Sequence, residues 1–156
     1  VRETEYEIVP ACVAGGVGVL PWSPLGGGYL TGKYRRDEAP TGATRLGDDP
    51  ERGMEAVSKR GASAQTWDVV DAVRAVADGR GTTMAAVALA WLHDRPGVAS
   101  VILGVRTPEQ LEGNLAAVGL HLTDEETARL DAASAPTPQD YPYGPGGVDQ
   151  RTRTLG

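Results

Sequence analysis

The sequence predicts an α/β fold built on a parallel pair of strands. Three observations predict it: two near-continuous apolar runs, Val17 to Trp22 and Ala99 to Gly104; helical segments between them; and a capped helix opening straight after the second run. Strand, loop, helices, strand and helix is the order of a right-handed βαβ unit, whose strands run parallel. Two strands leave two open edges, and isolated parallel pairs are rare outside a larger covered sheet, so the sheet reads as incomplete.

Each element has its own signal. Glu3 to Gly15 has helical composition, with Ile8, Ala11 and Cys12 on one face, which places Cys12 in the core. Val17 to Trp22 lies between glycines and Ser23-Pro24, as a buried strand would, with Pro21 near its end. Ser23 to Gly32 is rich in glycine, so the backbone there can bend and approach a ligand closely. From Tyr34 to about Ala64 the chain is polar and without periodicity, which suits a functional lid or disorder. Val69, Val70, Val73, Val76 and Ala77 recur at helical spacing ahead of Gly79 and Gly81. Thr82 or Thr83 caps the next helix, whose Met84, Val87, Ala88, Trp91 and Leu92 form a core stripe. Thr107-Pro108-Glu109-Gln110 is a capping box with proline at the first helical position, opening a helix to about Ala117. Thr123-Asp124-Glu125-Glu126 is another, opening a helix to about Ala133, and residues 134–156 read as an irregular tail.

Composition narrows the function classes. At 156 residues the chain has room for about one domain, and 40% hydrophobic with 23% charged residues is ordinary for a globular protein. Fifteen Lys and Arg against 21 Asp and Glu give a net charge of −6, which repels phosphate backbones and anionic lipid. Neither nucleic acid nor membrane is an expected partner. The lone cysteine and the absence of zinc-type spacing fit a reducing compartment and suggest the cytoplasm. No apolar run approaches a membrane span, no signal-peptide pattern opens the chain, and Val1 in place of Met suggests that upstream material is missing. Charge is uneven: Lys33 to Arg60 holds seven basic and six acidic residues, making it the segment least hostile to an anion.

Ligands of parallel α/β folds gather at the carboxyl ends of strands. The Ser23 to Gly28 turn there can present backbone N–H groups, and Gly104-Val105-Arg106 leads into a helix whose N-terminal donors favour an anion. The glycine triplet matches neither the Rossmann nor the Walker pattern, and Trp22 suits packing as well as stacking. His93 and His121 read as structural, and Tyr141 and Tyr143 as decoration of the tail. No nucleophile–base pair, metal set or paired carboxylates stand out, so no catalytic residue is assigned.

Three stretches are more specific. Pro21 to Tyr34 (PWSPLGGGYLTGKY), Ala86 to Leu92 (AVALAWL) and Ile102 to Leu115 (ILGVRTPEQLEGNL) resemble, in order and spacing, the carboxyl-terminal half of an aldo-keto reductase. The resemblance covers the chain to about Ala133. It implies part of a (β/α)8 TIM barrel, its last strands and helices, on the side that binds NADP(H), in a family that reduces carbonyls to alcohols by hydride transfer. Position by position, it implies Trp22 against the nicotinamide; Ser23, Leu25 and Gly27 around the pyrophosphate; Gly104 and Arg106 at the 2′-phosphate; and Gln110 and Asn114 at the adenosine end. Gly113 departs from the acidic residue that the family commonly carries before that Asn. The family's catalytic Asp, Tyr, Lys and His come from earlier strands, and no segment here resembles those motifs. The expected protein is therefore the cofactor-side half of an oxidoreductase, acting on a small carbonyl substrate once completed and inactive alone. The alternative is a non-catalytic half-barrel that binds NADP or assembles through its open sheet edges, with self-association as one outcome.

Overall fold

A computed structural model describes residues 2–38, 41, 42, 44, 46, 47 and 61–137. Tyr141, Tyr143 and most of the predicted tail and central loop lie outside the described residues. Among the described residues five α-helices follow in order: α1 (Ile8–Ala14), α2 (Ala64–Arg80), α3 (Met84–His93), α4 (Pro108–Leu115) and α5 (Asp124–Ser134). Short 3₁₀ turns occupy Glu3–Glu5, Gly26–Thr31 and Ala116–Gly119.

The two predicted strands are present as extended segments without a regular ladder. They pair in parallel only at Val19 with Val98 and at Trp22 with Ile102. The Val19 N–H donates to the Gly97 carbonyl (2.8 Å), the Ala99 N–H to Val19 (2.9 Å) and the Ile102 N–H to Pro21 (2.9 Å). A regular parallel ladder would next use an N–H at residue 21, which proline lacks. The register slips there: three steps along the first segment match four along the second. Gly18 lets the segments approach, since a Cβ built on it would lie 2.6 Å from that of Ala99.

The expectation of a buried first strand is corrected. Val19 and Pro21 are half-buried, whereas Leu20 is 57% and Trp22 62% exposed. On the second segment Val101 and Leu103 pack toward the helices, while Ile102, on the opposite face, is 51% exposed. Among the described residues, helices cover one face of the pair only. The core assignment of α1 is corrected too: none of its residues is buried, Ile8 is 58% exposed and Cys12 is half-buried.

The helical layer carries the core. In α3 five consecutive residues, Ala86 to Ala90, are buried, a wider surface than the predicted stripe. The reason is that α3 is covered from two sides. Val87 and Ala88 pack with Val73, Val76 and Ala77 of α2 and Leu130 of α5, while Ala86, Leu89 and Ala90 pack with Ala117, Val101 and Leu103. The caps match the sequence: Thr83 Oγ1 accepts from the Ala86 N–H (3.1 Å), and Thr123 with Glu126 forms a complete capping box. Helix α2 runs through Gly79 and stops at Gly81, whose φ of 62° is open to glycine.

A polar clamp ties the ends of the chain to α3. The Asp131 carboxylate of α5 accepts from Arg95 Nη1 at 3.0 Å on both oxygens and from Trp91 Nε1 at 3.1 Å. Arg2 donates to the Asp131 carbonyl (3.1 Å), and the Arg2 and Arg95 guanidinium groups lie 5.3 and 4.7 Å from the Trp91 ring centre. Asp131→Ala is expected to lower unfolding stability by about 2 kcal/mol, the scale of hydrogen bonds to charged groups, as read from urea midpoints at constant slope.

Arg80 of α2 holds Glu126 through two hydrogen bonds of 2.7 and 2.6 Å, and the Thr123 N–H adds a third at 2.8 Å. The Arg80 guanidinium first, and that backbone donor second, pull the Glu126 carboxyl down to about 2. A depressed carboxyl stabilises the fold above its unfolded value and loses that contribution as pH falls toward the folded value. Wild type should therefore lose stability between pH 4.5 and about 2 more steeply than Glu126→Gln. Equal slopes would show that the pair contributes nothing.

Candidate functional site

The Trp22–Ile102 bridge is parallel, so both segments end at the same edge and their following loops leave from it together. The first loop turns at once. Ser23 takes φ 53° ahead of Pro24, a conformation rare for any residue with a side chain. Gly26, Gly27 and Gly28 follow at φ 58°, 72° and 104°, which only glycine adopts without strain. The Gly26 N–H donates to Ser23 (3.0 Å) and the Gly28 N–H to Leu25 (2.9 Å). The N–H groups of Ser23, Leu25 and Gly27 have no acceptor among the described residues. These are the three positions that the resemblance assigns to the pyrophosphate, and their unused donors are what an anion there would need. The Leu25 side chain packs into the helical core and fixes the loop from below.

Sequence reasoning gave no role to two further residues. A Cβ at Gly28 would lie 2.6 Å from Lys33 Nζ, so that ammonium crosses the face of the loop, 5.1 Å from the Tyr34 ring centre. Tyr34 is buried, and its hydroxyl donates to the Gly27 carbonyl (3.3 Å). The only signal for either was position, immediately after Gly32.

At the second junction Gly104 is open: a Cβ there would meet nothing within 4 Å. Arg106 is exposed, and its N–H donates to Gln110 Oε1 (2.9 Å), which brings those two residues together. The predicted capping box is only half formed. Thr107 Oγ1 accepts from the Gln110 N–H (3.3 Å), but the Gln110 side chain reaches back to Arg106 instead of Thr107. One N-terminal donor of α4, the Gln110 N–H, is thus used by its own cap. The Glu109 carboxylate accepts from its own N–H and from the Thr107 hydroxyl, bonds that hold it below the usual carboxylate range. Asn114 lies one turn beyond Gln110 but is 8% exposed, so the two stand in different surroundings. At Gly113 an added side chain would meet nothing within 4 Å.

Trp22 stands exposed at the end of its segment, on the face free of helices, with its ring available for stacking. His93 and His121 flank Asp94, with Nδ1 atoms 3.0 and 3.6 Å from its carboxylate. Hydrogen bonding to His93 leads the causes that hold the Asp94 carboxyl below its ordinary value. Among the described residues no group of three His, Cys, Asp or Glu side chains could hold a metal, and no helix is long and apolar enough to cross a membrane.

Comparison with known proteins agrees with this geometry. Residues 1–135 match the Aldo/keto reductase family. An aldo-keto reductase of Alternaria alternata is 34% identical over 145 residues, covering 90% of this chain and 35% of that protein. An NADH-specific methylglyoxal reductase of Escherichia coli is 30% identical, covering 83% and 37%. The solved glycerol dehydrogenase of Gluconobacter oxydans superposes with a TM-score of 0.64 at 28% identity, covering 90% of this chain and 42% of that one. The chain thus spans well under half the length of these relatives, and the fold it shares with them is of the (β/α)8 type. By the match across residues 1–135 and the likeness of its fold, the chain belongs to the aldo/keto reductase family.

Proposed function

We propose that this chain forms the cofactor side of an NADPH-dependent oxidoreductase that reduces a small carbonyl compound to an alcohol. The observation that carries the reading is the alternation in the glycine loop: among the described residues the N–H groups of Ser23, Leu25 and Gly27 stand without acceptors beside two that are used. That loop shares an edge with Arg106. NADPH, when bound, supplies the hydride delivered to the carbonyl carbon. The residues here bind and orient it: the loop donors and Lys33 hold the diphosphate, Trp22 lies against the reactive ring, and Arg106 with Gly104 takes the 2′-phosphate. Gln110 steadies the Arg106 turn, and Asn114 supports the helix at the adenosine end. The acid that protonates the carbonyl oxygen is not assigned to any of the 156 residues. The half-buried lone cysteine suits a reducing compartment such as the cytoplasm.

Preference for NADPH over NADH rests on Arg106, because a guanidinium–phosphate contact exists only with the 2′-phosphate. A fluorescence titration should show Arg106→Ala weakening NADPH by about tenfold or more while changing NADH by less than about twofold. Equal weakening of both would remove the assigned role. The chain alone is expected to show no carbonyl-dependent NADPH oxidation; sustained turnover abolished by Trp22→Ala would overturn that assignment.

A second reading, a non-catalytic half-barrel that assembles through its edges, is favoured by one observation. Val17, Leu20, Ile102, Leu115 and Val118 are large apolar residues left exposed. It predicts concentration-dependent association in sedimentation, suppressed by Ile102→Glu, alongside NADPH binding without turnover.

A further inference from the structure

Lys33 carries an exposed ammonium on a flexible stem, and among the described residues it pairs with no carboxylate. Left to itself, such a side chain spreads over many rotamers. Its neighbours narrow that spread. Gly32, at φ 76°, turns the chain back so that Lys33 and Tyr34 return across the glycine loop. The Lys33 stem crosses where Gly28 leaves room, since a Cβ there would lie 2.6 Å from Nζ, and the ammonium sits 5.1 Å from the Tyr34 ring centre.

The Tyr34 ring is itself fixed. It is buried 5.0 Å from the ring of Tyr29, which meets the Trp67 ring of α2 edge-on at 5.8 Å, and Trp67 Nε1 donates to the Gly61 carbonyl at 2.9 Å. The far end of the same side chain reaches the loop backbone. The peptide unit joining Gly27 to Gly28 is held at both ends, its carbonyl by the Tyr34 hydroxyl (3.3 Å) and its N–H by the Leu25 carbonyl (2.9 Å). One buried side chain thus touches both sources of positive character at the loop, the ammonium and the turned backbone.

We infer that Tyr34 is a positioning residue of the dinucleotide site: its ring seats the Lys33 ammonium over the glycine loop, and its hydroxyl keeps the Gly27 carbonyl turned from the anion. The inference rests on the reading of that loop as the diphosphate site. Tyr34 is buried and its hydroxyl already donates to Gly27, so it acts through Lys33 and the loop donors and not on the substrate. Without the hydroxyl the Gly27 carbonyl loses its partner, and rotation of that peptide sets a negative dipole end against the diphosphate. The diphosphate is common to NADPH and NADH, so both should respond alike.

Fluorescence titration of Tyr34→Phe, which keeps the ring and removes the hydroxyl, should show NADPH and NADH both weakened by about fivefold. Amide hydrogen exchange on the ligand-free chain should show the Gly28 N–H exchanging about threefold faster relative to the buried Val87 N–H of α3, because the loop alone loses a tie. A general loss of fold would speed both alike. Tyr34→Leu, which also removes the ring face, should weaken both dinucleotides by about a further threefold, a step that vanishes once Lys33→Gln is in place. Unchanged affinity, an unchanged ratio of Gly28 to Val87 exchange, or a ring step that persists with Lys33→Gln overturns the assignment; Tyr34→Phe decides it if Tyr34→Leu does not fold. Failure of the unsubstituted chain to bind either dinucleotide would instead overturn the reading of the loop, and the role of Tyr34 with it.

Discussion

The parallel pairing of two short extended segments sets the geometry of everything functional in this chain. Three backbone hydrogen bonds, from Val19 to Gly97, Ala99 to Val19 and Ile102 to Pro21, point both segments the same way. Antiparallel pairing would send the glycine loop and the Arg106 turn to opposite edges. The pairing is thin because Pro21 removes one donor and the register shifts across it. Its stability therefore comes from the helices beneath, where α3 is buried on both flanks and Val101 and Leu103 face it. Helix packing, more than sheet hydrogen bonding, holds the functional edge together.

Much of this was legible from residue patterns, and the misses share a cause. The helices and their caps follow local rules: Thr83, Thr107 and Thr123 each cap where the spacing places them, and Gly81 ends α2. The direction of the segments was legible from element order, since a crossover of that length implies parallel strands. Burial was not. Val17, Leu20 and Ile8 read as core because an apolar run signals an interior, but exposure depends on what covers a face, and only tertiary neighbours decide that. The placements of Lys33 and Arg74 were hidden for a related reason: each depends on a through-space approach, of Lys33 to Gly28 and of Arg74 to Gly32.

Charge shows how local structure overrides bulk composition. The chain is acidic overall, yet both loops at the functional edge carry a cation, Lys33 on one and Arg106 on the other. Arg2, Arg80 and Arg95 are paired with carboxylates at short range: Arg2 with Glu5, Arg80 with Glu126 and Arg95 with Asp131. The Arg80 and Arg95 pairs tie together residues far apart in the sequence. Lys33 and Arg106 thus place positive charge at one edge of a chain that is acidic overall.

How the glycine loop achieves its polarity follows from its carbonyls. The Ser23 carbonyl accepts from Gly26 and that of Leu25 from both Gly28 and Leu30, while Gly27 accepts from the Tyr34 hydroxyl and Gly28 from the Thr31 hydroxyl at 2.7 Å. Every one of these negative ends is tied back into the protein. Among the described residues the N–H groups of Ser23, Leu25 and Gly27 have no acceptor, so these donors lend the loop partial positive charge. Positive φ at four of six consecutive residues, Ser23 and Gly26 to Gly28, is what allows this separation of donors from acceptors. A side chain at Gly28 would collide with Lys33 as well as strain the turn, displacing the one ammonium that adds a full charge to those partial ones. The glycine triplet, ambiguous as a motif, therefore acts through geometry: it turns the backbone into an anion-facing surface without using any side chain of its own.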